Sequence, residues 1–311
     1  MVHFRFQSPE DLRIGYAWFS AMHTRMDIVL VGPGEAMQRE ITQQVYERVM
    51  MLDGLLNRFS AGSEVAKVNA KAVLEDVPIS NDLYYLLEYA QQAFVSTGGL
   101  FDITLQSERD TAPTTDNRAF KNRNSQTNPT DSSTSHRFPP LNPRAINLQH
   151  HPLRVRFLHP GLQIDLGGLA KGYAVDQIRE MLEEARVEHY LISFGNSSIA
   201  AKGDRPGKKP PIDALKCAPE LSEFQSPESK NAGLSSRVGW KVSLQNGSAT
   251  YQLIDECLTV SGNETQPGGH IIDPRTGKLV RAESVVIRTK TAIEGEVLST
   301  AGFIAQLHNI Y

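Results

Sequence analysis

Three places in this 311-residue chain put reactive residue types at spacings that could do chemistry. Ile164-Asp165-Leu166 is a short apolar run that breaks at Gly167-Gly168, after which Ala170, Tyr173, Ala174 and Ile178 recur at helical spacing. A strand that turns straight into a helix presents unpaired backbone N–H groups and the positive end of a helix dipole, which suits a bound phosphate. Lys171 falls in the first helical turn, a poor place for a cation on dipole grounds and a useful one beside an anion. Glu296 and Thr300 stand at i and i+4, with Ser299 between them. On a helix they share one face and supply oxygen ligands of the kind magnesium takes; a solvated carboxylate above a packing threonine satisfies the same spacing. His270, between Gly268-Gly269 and Pro274, carries an imidazole that titrates near neutral pH. It can take a proton from a hydroxyl, or be an ordinary surface histidine. The other histidines lack zinc-site spacing.

Those residues need a scaffold, and the composition supplies one. Hydrophobic residues make up 40% of the chain, enough for a sizeable core and too many for global disorder. A formal net charge of −3 offers no basic field for nucleic acid or an anionic membrane, so an anionic ligand must be held locally. No apolar run reaches the length of a membrane span. Cys217 and Cys257 have no Cys-x-x-Cys partner and read as two reduced thiols.

The periodicities predict a strand from Tyr16 to Val31, ended by Gly32-Pro33-Gly34, and a long amphipathic helix over 35–58. A second helix, capped by Ser80 or Asn81, runs to Gly98-Gly99, and a short extended piece follows over Leu100 to Leu105. Val155 to Leu166 reads as a strand, the Gly167-Gly168 helix runs to about Arg186, and His189 to Ile199 is an apolar strand interrupted at Gly195. Trp240 to Leu244 and Thr250 to Val260 form a hairpin; Ser284 to Lys290 is a strand and Ile293 to Leu307 the last helix. Segments 106–144 and 203–237 are polar and read as mobile surface excursions. Helices and antiparallel strands mix without strict alternation, which makes the fold class α+β with mixed or antiparallel sheets and packed helices. The reading is a single domain over 1–311, with a division into two α+β lobes flanking the site left open.

Five collinear blocks give the chain a family likeness. Arg58-Phe59-Ser60 with Ser63-Glu64-Val65 and Asn69, Thr97 to Thr104, Ile164 to Asp176, Gly268 to Gly277, and Glu296 to Ala301 resemble the ApbE-type FAD:protein FMN transferases. The resemblance implies an ApbE-like, T-fold-related architecture, FAD as substrate and Mg2+ as cofactor. It also implies transfer of FMN to a Ser or Thr of a target protein, such as a redox-pump subunit or flavin-carrying domain, with release of AMP. By position it makes His270 the catalytic base and assigns the metal to Glu296, Thr300, Ser299 and the Gly168 carbonyl. Flavin or adenosine contacts fall to Met22, Phe59, Gly99, Leu100, Phe101, Asp165, Lys171, Ile271 and Ile272.

Four positions depart from the family pattern, among them Asn196, which follows Gly195 where the family has a pair of glycines. Glu296 stands where the family has Asp, His23 where it has Gly, and Asn263 where it has Asp. Glu296, His23 and Asn263 favour FAD binding without transfer as the alternative; FAD hydrolysis to FMN and AMP, with water in place of the hydroxyl, is a further one. Met1 to Asp11 has neither a signal core nor a lipid-attachment cysteine, which points to the cytoplasm; the alternative is the periplasm after loss of an export signal.

Overall fold

A computed structural model describes residues 1–8, 12–106, 142–205, 238–243, 249–262 and 271–306. Most of the two polar segments, together with Cys217, Asn263 and His270, lies outside the described residues. The chain divides into two compact units, Met1–Gly54 with Gly167–Tyr311, and Leu55–Leu166.

The first unit is built on a seven-stranded sheet in the order β1 (His3–Gln7), β2 (Ile14–Ala21), β3 (Thr24–Val31), β9 (His189–Phe194), β10 (Ser198–Lys202), β13 (Glu256–Ser261), β16 (Val285–Thr289). Every neighbouring pair is antiparallel. Strand alternation sends Met26, Ile28 and Leu30 of β3 and Tyr190, Ile192 and Phe194 of β9 to one buried face. The helices α4 (Gly167–Glu184) and α5 (Ala292–Ala305) pack on each other and on β10, and α5 also covers β13 and β16. Helix α1 (Glu35–Leu56) meets β2 through an edge-on Phe19–Tyr46 ring pair. The opposite face at β10 and β13 is covered by the ribbon β11 (Trp240–Ser243) and β12 (Thr250–Leu253), where Trp240, Val242 and Leu253 bury Ile199, Ala201 and Leu258.

The second unit carries α2 (Glu64–Lys71), α3 (Asn81–Ser96), the sheet β4 (Val77–Pro78), β7 (Arg154–Phe157), β6 (Ile146–Gln149), and the pair β5 (Thr104–Gln106) with β8 (Leu162–Ile164). Ser80 caps α3 by accepting from Leu83 N, and Gly98 and Gly99, at φ +61° and +83°, end it.

The α+β class with antiparallel sheets agrees with the sequence reading; three strand assignments need correction. Tyr16 to Val31 is a hairpin, reversed at Met22 and His23, which take φ of 47° and 60°. Two non-glycine residues in the left-handed region give no turn signal in sequence, although His tolerates that region better than most. The interruption read at Gly195 within His189 to Ile199 is a turn between two strands, with Gly195 and Asn196 at φ 62° and 57°. Val155 to Leu166 breaks at His159-Pro160-Gly161 into β7 and β8, and Thr250 to Val260 breaks at Asp255, φ 51°. Helix α2 is an element that the periodicity did not reveal; Ser63, accepting from Ala66 N, starts it.

Candidate active site

In the first unit the site is built where α4 and α5 cross. Gly172 makes the crossing close: a Cβ there would lie 2.7 Å from the Ala292 carbonyl oxygen and 2.7 Å from Glu296 Cγ. Gly295 does the same between α5 and β13, where a Cβ would collide with Thr259 Oγ1. The approach carries Glu296 to the first turn of α4. Its carboxylate is 3% exposed as a residue, and Oε1 sits 3.0 Å from Lys171 Nζ while also accepting from Ser198 Oγ. Gly168, exposed at the start of α4, is one turn before Gly172.

One turn along α5 the neighbours are hydroxyls. Ser261 Oγ of β13 lies 2.8 Å from Ser299 Oγ and 3.4 Å from Thr300 Oγ1. Thr259 Oγ1, fully buried beside Gly295, has no hydrogen-bond partner among the described residues. One carboxylate with a serine hydroxyl on it, and further hydroxyls on the same helix and on β13, one of them orphaned, are oxygen donors of the kind a hard cation takes. No group of three or more His, Cys, Asp or Glu gathers among the described residues. A cation here would therefore depend on Glu296 with hydroxyl and carbonyl oxygens, a set that fits magnesium better than zinc.

Further along the same pair of helices, Asp176 of α4 accepts from Ala292 N at 2.8 Å and Ile293 N at 2.9 Å, capping α5 in place of Thr291, whose side chain makes no cap. Arg179 pairs with Asp176 at 3.1 Å and donates to the Lys290 carbonyl at 2.7 Å. Burial nevertheless pushes the Asp176 carboxyl above its usual range. Cys257, free and buried 3.2 Å from Arg179 Nη1, has its thiol pushed up to about 12 by the same loss of solvent.

The remaining sequence-predicted residues of this unit stand apart from Glu296 in their contacts. Met22 N donates to Asp53 Oδ2 at 3.0 Å, fixing the left-handed turn. Ile271 is buried and Ile272 exposed at the start of the small ribbon β14 (Ile272–Asp273) and β15 (Lys278–Leu279). Asp273, wholly buried, folds that turn by accepting from Arg275 N and Thr276 Oγ1. The expected base, His270, precedes this ribbon and lies outside the described residues.

In the second unit, Asp165 pairs with Arg58 at 2.9 Å, and the Arg58 guanidinium lies 4.3 Å from the centre of the Phe59 ring. Phe59 is 77% exposed, an aromatic face left to solvent. Phe101 instead turns its ring into the core, at 3% exposure, while its N–H donates to Thr97 Oγ1 at 3.0 Å. Leu100 is half-buried beside the left-handed Gly99.

Sequence reasoning missed Ser198. Its only local signal is a hydroxyl opening a strand whose next three residues, Ile199, Ala200 and Ala201, are apolar and buried, and its partner is 98 positions away.

Comparison with known proteins gives a consistent likeness. The model of the ApbE family matches residues 22–311. An FAD:protein FMN transferase of Klebsiella pneumoniae (strain 342) is 21% identical over 280 residues, covering 85% of this chain and 75% of that protein. The crystal structure of the ApbE protein from Thermotoga maritima superposes with a TM-score of 0.66 at 20% identity, over 94% of this chain and 87% of the other. The flavin transferase ApbE from Vibrio cholerae gives 0.64 at 18%, over 98% and 87%. At these identities the structural likeness establishes the fold.

Proposed function

Because the chain belongs to the ApbE family, we propose that it takes FAD as substrate and transfers FMN to a Ser or Thr hydroxyl of an acceptor protein, releasing AMP, with Mg2+ required. The acceptor oxygen forms a bond to the phosphorus next to riboflavin. The bond from that phosphorus to the bridging oxygen breaks, and AMP leaves with the bridging oxygen. His270 takes the proton that the hydroxyl loses. Glu296, Thr300, Ser299 and the Gly168 carbonyl are the oxygens that would hold Mg2+. When bound, Mg2+ would neutralise diphosphate charge as the leaving group departs. The start of α4 is where a phosphate would be received, and Lys171 adds a positive charge near it. In the second unit Phe59, Leu100 and the Gly99 backbone are the surfaces offered to the flavin, with Phe101 supporting them from the core; Asp165 is the acceptor for the adenosine part. Met22, Ile271 and Ile272 complete the contacts.

The observation that carries this reading is the Glu296 carboxylate, buried and held by Ser198 Oγ and Lys171 near the glycine start of α4. A carboxylate kept from water at that cost is a ligand or a strut, and its hydroxyl neighbours and the phosphate-ready helix start favour a ligand.

The test is to incubate the protein with FAD, Mg2+ and a Ser- or Thr-bearing acceptor, following AMP and acceptor mass together. Acceptor gaining the mass of FMN with equal AMP is the expected result. AMP without labelled acceptor selects hydrolysis, and neither product overturns the proposal. His270→Ala should leave FAD binding intact and remove transfer.

A further inference from the structure

We infer that Lys171 is the resident counter-ion of Glu296, exchanging with the divalent cation at the carboxylate, and that Ser198 holds the carboxylate in place through the exchange. This rests on the reading of Glu296 as a metal ligand. A carboxylate whose side chain is 5% exposed requires a compensating charge, because burying it alone is prohibitive. Lys171 Nζ supplies that charge at 3.0 Å from Oε1. The same oxygen accepts from Ser198 Oγ, so the grip combines one removable partner with one fixed to β10. Lys171 is the removable one. Its side chain is 23% exposed, on a four-carbon stem at the fifth residue of α4, towards the helix end whose dipole disfavours a cation.

An ammonium and a divalent ion cannot both sit at contact distance on one oxygen without strong repulsion, which lowers metal affinity by about tenfold or more even after solvent screening. Metal arrival therefore frees a lysine beside the phosphate-ready start of α4. The cation that had neutralised Glu296 becomes available to the diphosphate of the substrate. One carboxylate thereby couples metal loading to anion capture, and Ser198 acts as a positioning residue, touching neither cation.

The experiment uses Mn2+ alone, without FAD, titrated into the whole protein and followed by the electron paramagnetic resonance of free Mn2+. Lys171→Met should bind Mn2+ about tenfold more tightly than wild type, whereas Lys171→Arg, which keeps the charge, should bind as wild type does. Ser198→Ala should weaken Mn2+ binding by about tenfold, the low end of what one hydrogen bond to a charged group contributes. Equal affinity of Lys171→Met and wild type overturns the exchange. Binding that survives unchanged in Glu296→Gln overturns the metal reading beneath it, a separate outcome. Wild type provides a check that needs no variant. The Lys171 ammonium proton signal, protected by its ion pair, should disappear on saturation with Mg2+; its persistence overturns the exchange.

Discussion

Helices α4 and α5 carry two buried acid–base pairs along one seam, and the pairs differ in how completely they are satisfied. Asp176 has both oxygens engaged by backbone N–H groups of α5, and its arginine reaches on to the Lys290 carbonyl. Glu296 has one oxygen shared between a lysine and a serine, with hydroxyls one turn away bonded to each other. A carboxylate that ends its neighbour's helix serves as a strut. A carboxylate held by a long flexible cation and a hydroxyl is free to change partners. On the proposed reading of Glu296 as a metal ligand, hydrogen-bond completeness is what separates it from the structural Asp176, since both are buried.

Changing Glu296 should give the largest effect. Glu296→Gln keeps the shape and the Ser198 contact but removes the charge, and FMN transfer is expected to fall about a hundredfold or more. Rates measured over a range of Mg2+ should not recover it; full activity at high Mg2+ would place Glu296 with the struts. Asp176→Ala should reverse the pattern, costing about 3 kcal/mol of stability by uncapping α5 and stranding Arg179. Urea denaturation measures that loss, while transfer per folded molecule is expected to stay within about twofold of wild type.

Gly172→Ala comes next, because the added methyl must push α5 away at Ala292 and Ile293. A loss of about 1–3 kcal/mol is expected, together with weaker Mn2+ binding, as the seam widens next to Glu296. Cys257 gives a pH-dependent version of the strut. Its thiol is raised from an ordinary 9.0 to about 12 by burial, so the folded protein keeps the proton that the unfolded chain loses. Its stabilising share is whole below pH 9 and declines as pH rises towards 12. The stability gap between wild type and Cys257→Ala should therefore shrink by about 1.4 kcal/mol per pH unit above 9. Native Cys257 should also resist alkylation at pH 8, read by peptide mapping. The smallest effect belongs to the half-exposed Arg58–Asp165 pair of the second unit: Arg58→Ala should cost no more than about 1 kcal/mol.

Much of this molecule was legible before any coordinates. Helices α1, α3, α4 and α5 follow from apolar spacing with glycine and serine punctuation, signals carried within a few residues of each other. The glycine start of α4 and the Glu296–Thr300 helix face were readable for the same reason. Two of the three misread strands share the opposite cause. A chain reversal through Met22-His23 or Asp255 leaves the period-two pattern on both sides intact, so the alternation looks continuous where the direction has changed. Helix α2 has only eight residues, too few for its periodicity to stand out.

By itself, then, the sequence determined the α+β class, the long helices and which residue types stand at the turns, because those depend on neighbours along the chain. Only the tertiary structure decided that Lys171 and Ser198 converge on Glu296, and that Asp176 caps a helix more than a hundred residues away. Gly172 and Gly295 allow that convergence by being absent as side chains. The space they leave is defined by what another segment brings to it.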